Sequence, residues 1–260
     1  MNLGSLVLMG GVVVLTGFGG VTGAAAQTGG RGTIRGHVRL LGELPGNPVI
    51  RMTRDPMCAR INAGKRVIQE TVLAALDGSM ANVFVHLTGS FPETPVPTQP
   101  VTIDQRGCIY TPRVVGVRVG QVLQVRNSDD LLHNVHGLSG RGQGFNVGQP
   151  LAGMLNKFPL AQEETMLKLS CDVHTWMRAY IGVVKHPYFA VTGSGGTFEI
   201  ADVPAGSQTI QAWHEQYGPL EKTVVVKPGG ATSVDFSFAP AQQPPKAGPD
   251  KTPTRGRSAR

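Results

Sequence analysis

Short runs of alternating apolar and polar residues, each cut off by Gly, Pro, Asp or Asn, recur along the whole chain. Alternation puts one side of an extended strand in a core and the other in water, and the breakers supply the turns. Glycine takes 35 and proline 19 of the 260 positions, which leaves little room for uninterrupted helices. Long helical periodicity is absent. The pattern predicts an all-β protein, with enough chain for one large or two small domains. Residues 67–76 have a composition compatible with a helix. Asp77-Gly78 behind them is a hairpin turn signal, so helix and hairpin are equally compatible with that stretch.

The two ends differ from the middle. Residues 1–26 carry no acidic or basic side chain, hold the apolar core Leu6–Met9 and Val12–Leu15, and close on Ala24-Ala25-Ala26. This reads as a secretory signal peptide cleaved near Ala26, despite the missing basic residue near Met1. The expectation is a periplasmic or secreted protein with no integral membrane span after cleavage. The apolar run is short and interrupted by glycines, which argues against a stable span. At the other end, 240–260 is rich in proline and poor in apolar residues, so it reads as a disordered basic tail. Lys246, Lys251, Arg255, Arg257 and Arg260 against Asp250 give it a net +4, so the rest of the chain carries +3 of the total +7. No basic helical stripe accompanies it, and nucleic acid is not an expected partner.

The chemistry concentrates in Cys171-Asp172-Val173-His174-Thr175-Trp176-Met177, with a second imidazole upstream in Leu132-His133-Asn134-Val135-His136. One thiol, two imidazoles and a thioether are the donors of a blue-copper electron-transfer site. Sulfur suits Cu(I), and imidazole suits both oxidation states. Either His133 or His136 could supply the upstream imidazole. Positions i and i+3 of a strand face opposite ways, so one conformation does not offer both to one metal. No nucleophile elbow, P-loop or dinucleotide fingerprint is present, and no enzyme activity is expected. Asp129-Asp130 beside Asn127 and Ser128 reads as a turn rather than an acid–base pair.

The stretch from about Val101 to Lys185 resembles a cupredoxin of the plastocyanin and amicyanin type. The resemblance is carried by Tyr110-Thr111-Pro112, Val117-x-Val119-Gly120, Val125-x-Asn127, His133-Asn134-Val135 and the closing Cys171-x2-His174-x2-Met177. It implies a Greek-key β-sandwich holding one type 1 copper on His133, Cys171, His174 and Met177. It also implies that Asn134 hydrogen-bonds across to the cysteine loop, and that the edge of His174 reaches the surface as the electron exit. Trp176 would shield the copper, form part of a docking surface, or simply pack. With Cys171 taken as the copper thiolate in an oxidising compartment, Cys58 and Cys108 remain as a disulfide pair.

A second resemblance joins the flanks. Gly36-x-Val38, Leu44-Pro45-Gly46, Val83–Leu87, Gly196-x-Phe198-x-Ile200 and Val203-Pro204-x-Gly206 together resemble a carboxypeptidase-regulatory-like, or transthyretin-like, sandwich. The implied organisation is a discontinuous sandwich of 31–94 plus 189–239, with a cupredoxin domain, 95–188, inserted in it or packed beside it. A four-proline linker over 91–100 leads in. His186 and His214 would lie near the junction, and with His136 they are alternative metal ligands.

The function expected is one-electron transfer with a redox partner protein in the periplasm or cell envelope. The alternatives are a copper-binding or delivery protein, or an envelope binding module with structural copper. Oligomeric state is left open by these features.

Overall fold

The computed structural model describes Met1 and residues 29–240. The expected leader and the basic tail lie outside the described residues, apart from their first residues Met1 and Pro240. In chain order the strands are β1 (Arg31–Leu40), β2 (Phe84–Thr88), β3 (Val101–Gln105), β4 (Tyr110–Thr111), β5 (Val114–Arg118), β6 (Val122–Asn127), β7 (His133–Leu138), β8 (Phe145–Gln149), β9 (Leu155–Pro159), β10 (Glu164–Ser170), β11 (Arg178–Val184), β12 (Phe189–Val191), β13 (Thr197–Pro204), β14 (Gly206–His214), β15 (Gly218–Val226), β16 (Ala231–Ser233) and β17 (Phe236–Phe238). A short helix, α1 (Pro56–Ile61), follows a 3-10 turn at Met52–Arg54. The protein is all-β, as its alternating pattern predicts.

Among the described residues, four sheets form two sandwiches. The inner one stacks β5-β11-β10-β7-β8 on β4-β3-β6-β9. The outer one stacks β13-β1-β16, with β17 also on β1, against β12-β2-β14-β15. Strands β2 and β12 are hydrogen-bonded neighbours, with Phe189 opposite His86, although the entire inner sandwich separates them in sequence. Each sandwich has its own core: Ile103, Leu123, Leu169 and Ile181 in the inner, Ile34, Leu87, Ile210 and Phe236 in the outer.

A third, smaller core joins them. Phe84 and Phe189 on the outer sandwich meet Val114, Met166 and Val184 on the inner one. Strand β11 therefore serves two cores, sending Ala179, Ile181 and Val183 one way and Tyr180 and Val184 the other. This double burial explains its nearly continuous apolar sequence. Between Ile181 and Val183 sits Gly182, and the ring of Phe84 rests on it. A Cβ there would lie 2.4 Å from Phe84 Cζ, closer than any side chain tolerates. Gly182→Val is therefore expected to destabilise the protein by about 1–3 kcal/mol through overpacking. Denaturant unfolding of the two forms checks this, and equal midpoints would mean that the junction yields freely.

The stretch 67–76 contains no helix. Ala74 bridges Met80 across the Asp77-Gly78 turn, where Gly78 takes a φ of 85°. The expected allocation of all of 31–94 to the outer sandwich needs correction. Met52 and Cys58 are buried in the inner core, and Ile50 and Val67 pack against it. Residues 49–69 thus leave the outer sandwich and lie across the end of the inner one. Asp55-Pro56 is a helix-start signal, a capping carboxylate followed by proline at the first helical position. Asp55 accepts from the N–H groups of Met57 and Cys58. Length and alternation alone did not reveal that α1 starts here.

Candidate metal centre

His133 opens β7 and Cys171 follows β10; these strands are antiparallel neighbours, with Ser170 opposite His136. Pairing brings the two ends together, and the turn after Cys171 folds His174 back over the thiol. The turn is closed by Met177 N–H donating to the His174 carbonyl at 2.9 Å. Tyr110 Oη bonds the carbonyls of Asn134 and Ser170, tying β7 to β10 just below the site.

The donor atoms converge. His133 Nδ1 lies 3.1 Å from His174 Nδ1, and His174 Nδ1 lies 3.7 Å from Cys171 Sγ. All three ligand atoms lie within 4.8 Å of one another. His133 and His174 are 0% and 1% exposed, and Cys171 and Met177 are buried with them. Met177 belongs to the same core as Cys171.

The outer nitrogens decide the tautomers. His133 Nε2 lies 2.9 Å from an Asp129 carboxylate oxygen, and His174 Nε2 lies 3.0 Å from Asp55. An ionised carboxylate only accepts, so each Nε2 carries the hydrogen and each Nδ1 presents a lone pair inward. Two buried lone pairs facing each other repel unless a proton or a cation lies between them. The residues present therefore fit a metal ion of the His2Cys class.

Electrostatics favour the anionic sulfur. Burial opposes ionisation of Cys171, but its contact with the His174 side chain and the hydrogen bonds from the N–H groups of His174, Asn134 and Val173 outweigh it and hold the thiol below its usual range. For His174, burial pulls the pKa down, and the Cys171 and Asp55 contacts overcome this and raise it. Asp129 is pushed up by burial, yet its bonds to His133 and to Cys108 and Gly107 N–H hold it lower than usual.

Asn134 holds the cysteine loop at two points. Its N–H donates to Cys171 Sγ at 3.3 Å, and its side-chain oxygen accepts from Asp172 N–H at 3.1 Å. His136 turns to the other face of β7, half-exposed, and bonds the Asp172 carboxylate at 2.9 Å. The strand period explains the split between His133 and His136.

The Cys58–Cys108 disulfide is present, with its Cα atoms 5.8 Å apart. Its position was not legible in the sequence. Cys58 N–H donates to Asp55, the partner of His174, and Cys108 N–H donates to Asp129, the partner of His133. The disulfide thus joins the two carboxylate arms that orient the two imidazoles. Such partners fix ring orientation and raise ligand basicity.

Two expectations are corrected. The edge of His174 does not reach the surface. Asp55 and Cys58, held by the disulfide, cover it, and Cys58 Sγ is 3.5 Å from His174 Nε2. Asp129 is more than a turn residue, because it is the buried partner of His133. The alternative ligands are also dispersed. His186 packs on Phe91 and Tyr188, and His214 on Tyr217 and Phe238. Burial lowers their pKa values to about 4 and about 3, so both rings are neutral at pH 7. Among the described residues, no group of three or more metal-ligating His, Cys, Asp or Glu side chains includes His136, His186 or His214.

No protein-family model and no curated protein matches the chain. Solved structures match part of it. A copper-containing nitrite reductase from Thermus scotoductus SA-01 is 19% identical, with 37% of this chain covered, 25% of that one, and a TM-score of 0.31. The chain thus spans a quarter of that enzyme's length. An amicyanin mutant in its Cu(I) form is 19% identical over 34% of this chain and 85% of its own, at a TM-score of 0.29. A purple cupredoxin from Nitrosopumilus maritimus is 22% identical over 32% of this chain and 98% of its own, at 0.28. These likenesses are partial, and the functional reading stands on the donor geometry above.

Among the described residues, no helix is long and apolar enough to cross a membrane.

Proposed function

We propose that the protein is an exported one-electron carrier holding one type 1 copper on His133, Cys171 and His174, with Met177 as the weak axial ligand. The observation that carries this reading is the convergence of two imidazole Nδ1 atoms on one buried thiol, each imidazole braced from behind by a carboxylate. When bound, copper in such a set takes up and releases a single electron with little change in geometry. The chain's own residues do the rest. Asp129 and Asp55 orient the imidazoles, Asn134 steadies the cysteine loop, and the cover over 49–69 keeps water off the donors. Rigid donors cost little reorganisation, which is what rapid electron transfer needs.

A delivery protein needs exposed, exchangeable ligands, whereas these four side chains are buried. No catalytic role is assigned. The outer sandwich we read as a carboxypeptidase-regulatory-like unit that carries the inner one. The working compartment we read as the periplasm or the extracellular space, where the disulfide persists.

The test is the visible spectrum of the protein loaded with Cu(II), beside Cys171→Ser. The expected result is a strong charge-transfer band near ~600 nm in the parent and none in the variant. A folded, copper-loaded parent without that band would overturn the type 1 assignment.

A further inference from the structure

We infer that the cover over 49–69 is the docking face for an acidic redox partner, with Trp176 as the electron port. The inference rests on the electron-carrier reading. Five cations, Arg51, Arg54, Arg60, Lys65 and Arg66, stand exposed on this segment. Its only acid between them, Asp55, is spent on His174. Among the described residues none of the five cations forms an ion pair. A protein that carried these charges for solubility alone would be expected to spread them. Here they are gathered on the one segment that lies over the metal-binding imidazole.

The same face has the apolar component a protein interface needs. Val49 and Met57 are 47% and 38% exposed. Beside them Trp176 lines a shallow hollow with Val49, Ile50, Arg51, Gln69 and Arg178. Docking surfaces favour aromatic and arginine side chains. The Trp176 ring lies 5.1 Å from the His174 ring, and its Nε1–H donates to the Cys108 carbonyl at 2.8 Å. With the His174 edge closed by Asp55, Trp176 provides the aromatic contact from the donor set to this surface. A cationic rim around it would steer a negatively charged protein and repel a positive one.

Two measurements test this. In the first, the metal-free 15N-labelled protein is titrated with poly-L-glutamate. Amide shifts confined to 49–69 and the Trp176 loop, and lost in Arg51→Glu/Arg54→Glu, are the expected result. In the second, the reduced copper protein is oxidised by hexacyanoferrate(III), an anion, and by tris(phenanthroline)cobalt(III), a cation. The anionic oxidant should lose rate as salt rises, and the double variant should slow it at low salt by about tenfold. Trp176→Leu should slow both oxidants while leaving the visible band in place.

Shifts that map elsewhere, or a salt dependence that survives the charge reversal, would overturn the docking face. So would cosedimentation with phosphatidylglycerol vesicles, but not phosphatidylcholine, that the double variant abolishes while poly-L-glutamate leaves the cover unmoved. That outcome would assign the cations to a lipid surface. Unchanged rates in Trp176→Leu would overturn the port. A parent without a visible band whose cover still binds poly-L-glutamate would instead sink the electron-carrier reading and keep the acidic-partner face.

Discussion

Replacing both half-cystines, Cys58→Ser with Cys108→Ser, is expected to cost about 4 kcal/mol of stability and to open the metal centre. The bridge closes a loop of 50 residues, and restricting a loop of that size in the unfolded chain yields a stabilisation of roughly that magnitude. The loss should not spread evenly. Helix α1 has six residues, too few to stand alone in water. It is held by the disulfide, by the Asp55 cap and by Met52 and Ile50 against the inner core. Without the disulfide, Asp55 leaves His174, and the outer edge of that imidazole meets solvent. Denaturant unfolding should show the lower midpoint, and a Cu(I) chelator should strip the variant faster than the parent. If copper leaves both forms at the same rate, the cover does not guard the site.

Arg113→Ala is expected to be comparably damaging for a different reason. Arg113 precedes β5 of the inner sandwich and Glu215 follows β14 of the outer one. Their side chains form a two-point ion pair, with the Nη2–Oε2 bond at 2.9 Å, and are only 8% and 7% exposed. Removing the guanidinium leaves the Glu215 carboxylate buried at the junction with the Tyr180 hydroxyl but without its counter-ion, and a buried charge that has lost its ion-pair partner costs about 3–5 kcal/mol. For a protein of this size that corresponds to a fall in Tm of about 10 °C. Replacing both partners, Arg113→Met with Glu215→Leu, should recover most of the loss, because no charge is left stranded. Thermal denaturation of the three variants decides the matter. A double variant as unstable as Arg113→Ala would place the damage in packing rather than in the stranded charge.

The sequence by itself determined the strands and the donor types. Alternation with period two and frequent Gly and Pro point to an all-β chain because both signals are local, although they left 67–76 open between helix and hairpin and did not reveal α1. The spacing Cys171-x2-His174-x2-Met177 is local too, and one turn of backbone brings the thiol and the imidazole together. The strand period likewise sends His133 and His136 to opposite faces, with no need of a fold to say so. Which of them turns inward was decided by the pairing of β7 with β10. The rest required tertiary structure because its partners are far apart in sequence. Asp55 reaches His174 across 119 residues, and nothing near either residue announces the contact. Asp129 looked like one more turn residue until Gly107, Cys108 and His133 closed around its carboxylate. The disulfide pairing followed from the cysteine count once Cys171 was set aside. Its place behind both imidazoles did not, because that depends on how 49–69 crosses from one sandwich to the other. That crossing closes the His174 edge, which the family resemblance had implied to be open to solvent.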